Sequence, residues 1–377
     1  MTIVSLADLA NSAQCPRLVV KVGSSLLVGK HGLRRAWLET LIAEIADARA
    51  KGQEVIVVSS GAIALGAATL GLAKGGRGSL ADAQAAAAVG QIALSGLWAQ
   101  LLGQHGLTAA QLLLTLEDLE DRRRYLNATA TLSRLLDAGA VPVINENDSV
   151  ATQEIRFGDN DRLAARVAQA ARATAVLLLS DVDGLYDRNP KDPAAVLQGR
   201  VLGVSAEIHA MATGDSASGM GSGGMTSKLQ AAEIAERAGI ALAIINGTHE
   251  APLGRALAGE GIGTLFLPKQ KARARKAWLG GRLRLKGGLV IDAGAAKALL
   301  TGSSLLAAGV TGVEGTFSRG DAIAIRGADG TVLAHGLSEY DAGECMRLTG
   351  RNSREHEEIL GYAPRPAVVH RDQLVIL

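Results

Sequence analysis

Six short stretches of the chain carry residue types that could handle phosphate or a small charged substrate. Lys21 is followed by Val22, Gly23, Ser24 and Ser25; one cation beside several unhindered backbone N–H groups can hold phosphate oxygens. Ser59-Ser60-Gly61-Ala62 offers a second such place. Gly61 permits close backbone approach, and a helix starting there would turn its free N–H groups toward an anion. Asn145-Glu146-Asn147-Asp148 and Gly158-Asp159-Asn160-Asp161 form a polar cluster flanked by apolar sequence. Such a set suits the amino group of a zwitterion and the water shell of Mg²⁺, which takes phosphate oxygens and one or two carboxylates. Ser180-Asp181-Val182-Asp183-Gly184 lacks the later bidentate Glu of a calcium loop and reads as a turn at a strand end near a nucleotide. Finally, the glycine-rich run Gly214–Lys228 ends in Ser222, Gly223, Gly224, Met225, Thr226, Ser227 and Lys228. Backbone N–H groups and a Lys at a helix start make a phosphate site.

Each stretch alone has a plain alternative: an exposed Lys at a turn, an N-cap serine, a disordered glycine loop. Gly219, Gly221 and Gly224 match G-x-G-x-x-G, but no strand precedes them as a dinucleotide site requires, and Met225 stands where a Walker loop needs Lys. The polar cluster resists reduction in this way, because a helix cap explains one of its residues and not the set. Two further constellations fail. His370-Arg371-Asp372 copies a protein-kinase triplet, but the required Asn position is Leu377, in a terminal β-like run. The seven histidines form no metal-ligand pair, so no direct protein cage for a metal is expected.

The elements that must position these groups alternate between short apolar runs and amphipathic stretches. Leu18–Val22, Val55–Val58, Val141–Ile144, Ala175–Leu179 and Ala241–Ile245 read as buried strands. Leu33–Lys51, Ala81–Gln104, Arg122–Leu136, Asn160–Ala171 and Ser227–Ala238 read as helices. Continuous apolar strands between helices predict a mostly parallel sheet covered on both faces, and ligands of such sheets bind beyond the carboxyl ends of the strands, where the polar motifs fall. The pattern changes at residues 269–286, a basic stretch without acidic residues. Beyond it Gly287–Asp292, Gly309–Glu314, Asp321–Arg326 and Thr331–Leu337 predict a small β-barrel. The expected division is therefore 1–268, a linker 269–286, and 287–377.

The 377 residues carry a formal net charge of +2, which demands neither nucleic acid nor an acidic membrane. Cys15 and Cys345 are far apart and form no disulfide framework, the start of the chain lacks a basic secretory signal, and runs such as Ala85–Val89 are too short to span a bilayer. A cytoplasmic protein is expected.

Taken together, Val20-Lys21-Val22-Gly23-Ser24, Ser59-Ser60-Gly61-Ala62-Ile63, Val143-Ile144-Asn145-Glu146-Asn147-Asp148, Gly158-Asp159-Asn160-Asp161 and Gly223-Gly224-Met225-Thr226-Ser227-Lys228 resemble the amino acid kinase family in order and spacing over nearly the whole chain. The C-terminal part resembles a PUA domain. The resemblance implies an α/β fold, an αβα sandwich with a mainly parallel eight-stranded sheet, plus a small PUA-like β-barrel. INEND followed by GDND points within the family to the branch that phosphorylates the γ-carboxylate of L-glutamate with ATP and Mg²⁺, in proline biosynthesis, rather than to acetylglutamate, aspartate, carbamate or uridylate kinases.

By matching positions the resemblance implies that Lys21, Lys228 and Asp161 are catalytic. Ser60, Gly61, Ala62, Asp148, Asp159 and Asn160 would bind glutamate. Lys21, Gly23, Ser24, Ser180, Asp181 and Ser222 to Lys228 would bind ATP, with Mg²⁺ carried by ATP and reached by Asp159 or Asp161 through water. It further implies proline as inhibitor, a dimer or tetramer, and transfer of product to glutamate-5-semialdehyde dehydrogenase. Ser59 and Ser180 stand where Thr is common, each keeping a hydroxyl, and residues 1–15 match nothing in the family core. The PUA-like part leaves RNA open as a partner, although acidic residues slightly outnumber Lys and Arg after residue 286 and a primary RNA binder shows a basic face.

Overall fold

Runs of Val, Leu and Ile without polar alternation can be satisfied only by a strand buried on both faces, and the first unit of the chain is built on several of these. The structure is a computed structural model; it describes residues 3–29, 32–150, 160–212, 224–258, 263–269, 285–362 and 365–377. By internal contacts the chain divides into two units, Met1–Glu120 with Ala128–Lys271, and Asp121–Asn127 with Ala272–Leu377.

The first unit holds an eight-stranded sheet. Its strands are β1 (Arg17–Val22), β2 (Glu54–Ser59), β3 (Ala109–Leu114), β4 (Val141–Glu146), β5 (Ala175–Ser180), β6 (Arg200–Leu202), β7 (Ala241–Asn246) and β8 (Thr264–Leu267). Their spatial order is β3-β4-β2-β1-β5-β7-β8-β6. Every neighbouring pair is parallel except β7 with β8. The chain leaves β1 toward β2 and β4, then returns to β5 on the other side of β1. The winding direction thus reverses at β1, and the crevice beyond its carboxyl end is where ligands of such sheets bind.

The helices are α1 (Arg35–Ala50), α2 (Ala62–Leu70), α3 (Leu80–Gln104), α4 (Arg122–Asp137), α5 (Asn160–Ala171) and α6 (Met225–Arg237). One face of the sheet, with Leu18, Val20, Val55, Val57 and Leu177, packs on Leu38, Leu41 and Ile45 of α1 and Leu94, Trp98 and Leu101 of α3. Val19, Ile56, Val58, Val176 and Leu178 are buried at the alternate positions, as a period of two requires. α5 and α6 pack on one another and against β1, β5 and β7.

α2 and α3 cross at backbone distance. A Cβ on Gly66 would lie 1.8 Å from the carbonyl oxygen of Ala86, and one on Gly90 1.8 Å from that of Ala62, so only glycine fits at either position. α3 is also long and apolar enough by composition to cross a membrane, with a mean hydropathy of 1.4 over its best window. The expected helix Ala81–Gln104 matches its length, whereas unbroken apolar runs such as Ala85–Val89 do not show its membrane-length hydropathy. Here Leu94, Trp98, Leu101 and Leu102 are buried in the core.

The strands β3, β6 and β8 are absent from the sequence expectations. β3 and β6 stand at the two margins of the sheet with alternately exposed residues, and β8 runs against its neighbour β7.

In the second unit a five-stranded sheet is formed by β9 (Gly287–Ile291), β10 (Val310–Gly315), β11 (Ala322–Gly327), β12 (Val332–Leu337) and β13 (Leu374–Ile376), ordered β10-β9-β11-β12-β13. Only the β9–β11 pair is parallel. Helices Ala293–Leu300 and Ala342–Leu348 are added to the four expected strands. Arg371–Gln373 is a short 3₁₀ turn between Ala367–Val369 and β13, so the triplet beginning at His370 does not lie in one continuous β run. Of the basic stretch 269–286, residues 270–284 lie outside the described residues.

Candidate active site

Four parallel strands carry polar residues at the same edge of the sheet: β1 at Lys21, β2 at Ser59 and Ser60, β4 at Asn145 to Asp148, and β5 at Ser180 and Asp181. Two helix starts, α5 at Asn160 and Asp161 and α6 from Gly224 to Lys228, supply the rest.

The charged centre is a buried triad. Asp161 forms an ion pair through Oδ1 with Lys21 Nζ at 2.6 Å and accepts from Lys228 Nζ at 3.1 Å on Oδ2. All three residues are at most 7% exposed. Burial pushes the Asp161 carboxyl up, but the two ammonium groups outweigh it and hold the carboxyl below its usual range. The three side chains together carry a net +1, a charge that suits an anionic ligand.

A second group is built from amides. Asn160 Nδ2 donates to Ser60 Oγ at 2.7 Å and to Asn145 Oδ1 at 3.1 Å. Asn145 Nδ2 in turn donates to Gln91 Oε1 on α3 at 2.8 Å. Trp98, seven residues along the same helix, donates from Nε1 to Ser59 Oγ at 3.0 Å. Asn160 Oδ1 and Asp148 Oδ1 are buried and accept no hydrogen bond from the described residues. Burial raises the Asp148 carboxyl to about 6, opposed by the charge of Arg77. Acceptors desolvated in this way cost free energy until a donor reaches them, and a carboxylate with an amide oxygen matches an ammonium ion.

Gly61 caps α2 with φ at +116°, a left-handed conformation that favours glycine. Ser180 Oγ donates to Asp181 Oδ1 at 3.3 Å, and Asp183 Oδ1 accepts from Asn246 Nδ2 at 2.8 Å. Gly23 and Ser24 follow β1 directly, Ser24 opening the helical turn Ser24–Leu27. Ala62 is the first residue of α2, and Met225, Thr226 and Ser227 form the first turn of α6 after its cap Gly224. Asp159, Ser222 and Gly223 lie outside the described residues. Sequence reasoning did not single out Gln91, Trp98 or Asn246; an isolated amide in the Ala-rich run Ala85–Leu94 is the one signal that marks Gln91.

Among the described residues no three His, Cys, Asp or Glu side chains converge as metal ligands. Both oxygens of Asp161 are taken by lysines, so the donor chemistry here fits a metal that arrives with phosphate oxygens of its own.

The model of the amino acid kinase family matches residues 16–246. The chain belongs to the amino acid kinase family. A PUA domain follows at residues 287–360. Among curated relatives, a glutamate 5-kinase from Novosphingobium aromaticivorans is 73% identical over the full length of both chains. Those from Sphingopyxis alaskensis and Zymomonas mobilis are 62% and 56% identical, covering 97% and 96% of this chain and 98% and 92% of their own. For an amino acid kinase, the triad and the amide group occupy the carboxyl edge of the sheet on either side of the winding reversal, where two substrates can meet.

Proposed function

We infer that this amino acid kinase transfers the γ-phosphoryl group of ATP to the γ-carboxylate of L-glutamate, giving L-glutamyl 5-phosphate and ADP in proline biosynthesis. The observation that carries the reading is the Lys21–Asp161–Lys228 triad beside the acceptors of Asp148 and Asn160, which have no donor among the described residues. The glutamate 5-kinases that match the whole chain support the same substrate.

A glutamate side-chain carboxylate, with an ordinary pKa near 4.3, is ionised at neutral pH and attacks without a general base. One carboxylate oxygen forms the new bond to the γ-phosphorus while the bond to the β,γ-bridging oxygen breaks, and the electron pair leaves with ADP. The obstacle is repulsion between two anions. Lys21 and Lys228 offset the charge as it moves to the leaving oxygen, and Asp161 holds both ammonium groups in place. Asp159 or Asp161 would hold, through water, an Mg²⁺ carried by ATP, which would neutralise the phosphate charge when bound. Ser60, Gly61, Ala62, Asp148, Asp159 and Asn160 hold glutamate. Gly23, Ser24, Ser180, Asp181 and the segment from Ser222 through Gly223, Gly224, Met225, Thr226 and Ser227 to Lys228 hold ATP.

The same reading makes the chain a cytoplasmic homo-oligomer, a dimer or tetramer, inhibited by proline and passing its labile product to glutamate-5-semialdehyde dehydrogenase. It divides the chain into a catalytic domain over 1–268, a linker over 269–286 and a PUA domain over 287–377. RNA is a secondary ligand at most, and a salt-dependent gel shift separates that role from none.

The decisive experiment measures ADP release with Mg-ATP against L-glutamate, N-acetyl-L-glutamate, L-aspartate, carbamate and UMP, with hydroxylamine present to trap acyl phosphate. Glutamate-dependent hydroxamate, suppressed by proline, is the expected result. Turnover with another member of the panel would move the enzyme within its family.

A further inference from the structure

The amides of Gln91, Asn145 and Asn160 form a chain with a single direction. Each Nδ2 donates to the carbonyl oxygen of the next, from Asn160 to Asn145 and from Asn145 to Gln91. Reversing Asn145 would set its NH₂ against that of Asn160 and its carbonyl against that of Gln91, losing both bonds. In this direction Asn160 spends its NH₂ on Ser60 and Asn145 and keeps its Oδ1 buried without a donor among the described residues. The three amides are coupled end to end, so the orientation of Asn160 depends on that of Gln91, on α3, 69 residues away in sequence.

Gln91 is itself held by its backbone. It directly follows Gly90, the residue through which α3 touches the carbonyl of Ala62 at the start of α2. Ser60, which receives the Asn160 hydrogen bond, lies two residues before that contact. Trp98 fixes the same face of α3 one heptad later through Ser59. α3 is thus registered against the strand end that carries Ser60, and Gln91 Oε1 is presented to Asn145 from a rigid support.

We propose that Gln91 is a positioning residue for substrate selection: through Asn145 it keeps the Asn160 carbonyl turned out as an acceptor, so that the site reads a free α-ammonium group. This rests on the assignment of L-glutamate as substrate. Without the Gln91 acceptor, Asn145 is released to rotate and Asn160 can reverse, presenting NH₂ groups where an ammonium must bind.

The test compares the full chain with Gln91→Met, which keeps side-chain length and removes the acceptor, and with Gln91→Glu, which restores an acceptor at the same reach. Glutarate, identical to glutamate except for the missing α-amino group, serves as competitive inhibitor. In Gln91→Met the KM for L-glutamate rises about tenfold, equivalent to about 1.4 kcal/mol, while the KM for Mg-ATP and the glutarate Ki stay within about twofold. The preference for glutamate over glutarate thus falls about tenfold, and Gln91→Glu recovers most of it.

An unchanged glutamate KM in Gln91→Met overturns the inference. So does an equal weakening of glutamate, glutarate and ATP, which marks a merely structural residue. If Gln91→Met does not fold, Gln91→Ala and the Glu variant are measured by the same ratio, with the same outcomes. Absence of glutamate-dependent ADP release in the unsubstituted chain is a different failure: it removes the substrate assignment itself and the inference with it.

Discussion

Lys21, Asp161 and Lys228 each lie within 3.1 Å of an opposite charge, whereas Asp148, equally buried, keeps an oxygen that no donor among the described residues reaches. Both regions sit on the carboxyl edge of one sheet, yet they meet the cost of desolvation differently. The triad settles most of it internally and leaves a surplus of one positive charge for a phosphate. The acceptor group leaves its cost standing and recovers it only when an ammonium arrives. A site for a mobile polyanion is thus kept intact when empty, while a site for one small zwitterion is kept unsatisfied, so that selectivity resides in the second.

Removing a charge from each region should break this contrast in opposite directions. Asp161→Asn leaves two buried ammonium groups without their shared partner and is expected to destabilise the chain by about 3–5 kcal/mol, read as a fall in the urea midpoint. Lys228→Met keeps the Lys21–Asp161 pair, so the fold should hold while kcat/KM drops by about 10²–10³; near-normal turnover would remove Lys228 from the mechanism.

Asp148→Asn should do the reverse of Asp161→Asn, stabilising the free protein and abolishing glutamate saturation. The folded value of about 6 lies above the ordinary 3.8. The stability tied to this proton is complete below pH 3.8 and lost as pH rises through 6. The Asn variant should therefore gain about 1–3 kcal/mol at pH 8, and the gain should shrink as pH falls toward 4. In the parent chain the KM for glutamate should rise as pH falls below about 6, because the ammonium needs an ionised partner; a flat profile would separate Asp148 from substrate binding. The smallest effect is expected at Gly61→Ala, where a side chain in the left-handed region costs about 1–2 kcal/mol, measurable as a lower thermal midpoint.

What the sequence discloses differs between the two regions in the same way. Lys21, Asp161 and Lys228 lie in short local patterns, a strand end and two helix starts, and α5 runs from Asn160 to Ala171 as its periodicity predicts. The amide chain is not local: Gln91 and Asn145 are 54 residues apart, and no periodicity announces that one will donate to the other. The same limit hides β3 and β6, marginal strands whose half-exposed residues lack the continuous apolar signature of β1 or β5. In the second unit the helix Ala342–Leu348 is missing from a reading made of strands, although Asp341 and Glu344 form a capping box that marks its start. A local signal was there, and the surrounding β-like runs outweighed it.

The reversal of winding at β1 also sets the order in which the chain can finish itself during synthesis. β1 gains its first neighbour, β2, by Ser59, but its other edge waits for β5, which begins at Ala175. More than a hundred residues must emerge in between. At about 5–20 residues per second, the edge of the central strand stays unpaired for on the order of ten seconds, an apolar template open to other nascent chains and to chaperones. Lys21 therefore waits on the ribosome, first for Asp161 and then for Lys228, and the enzyme acquires its charge balance while its second sheet is still unmade.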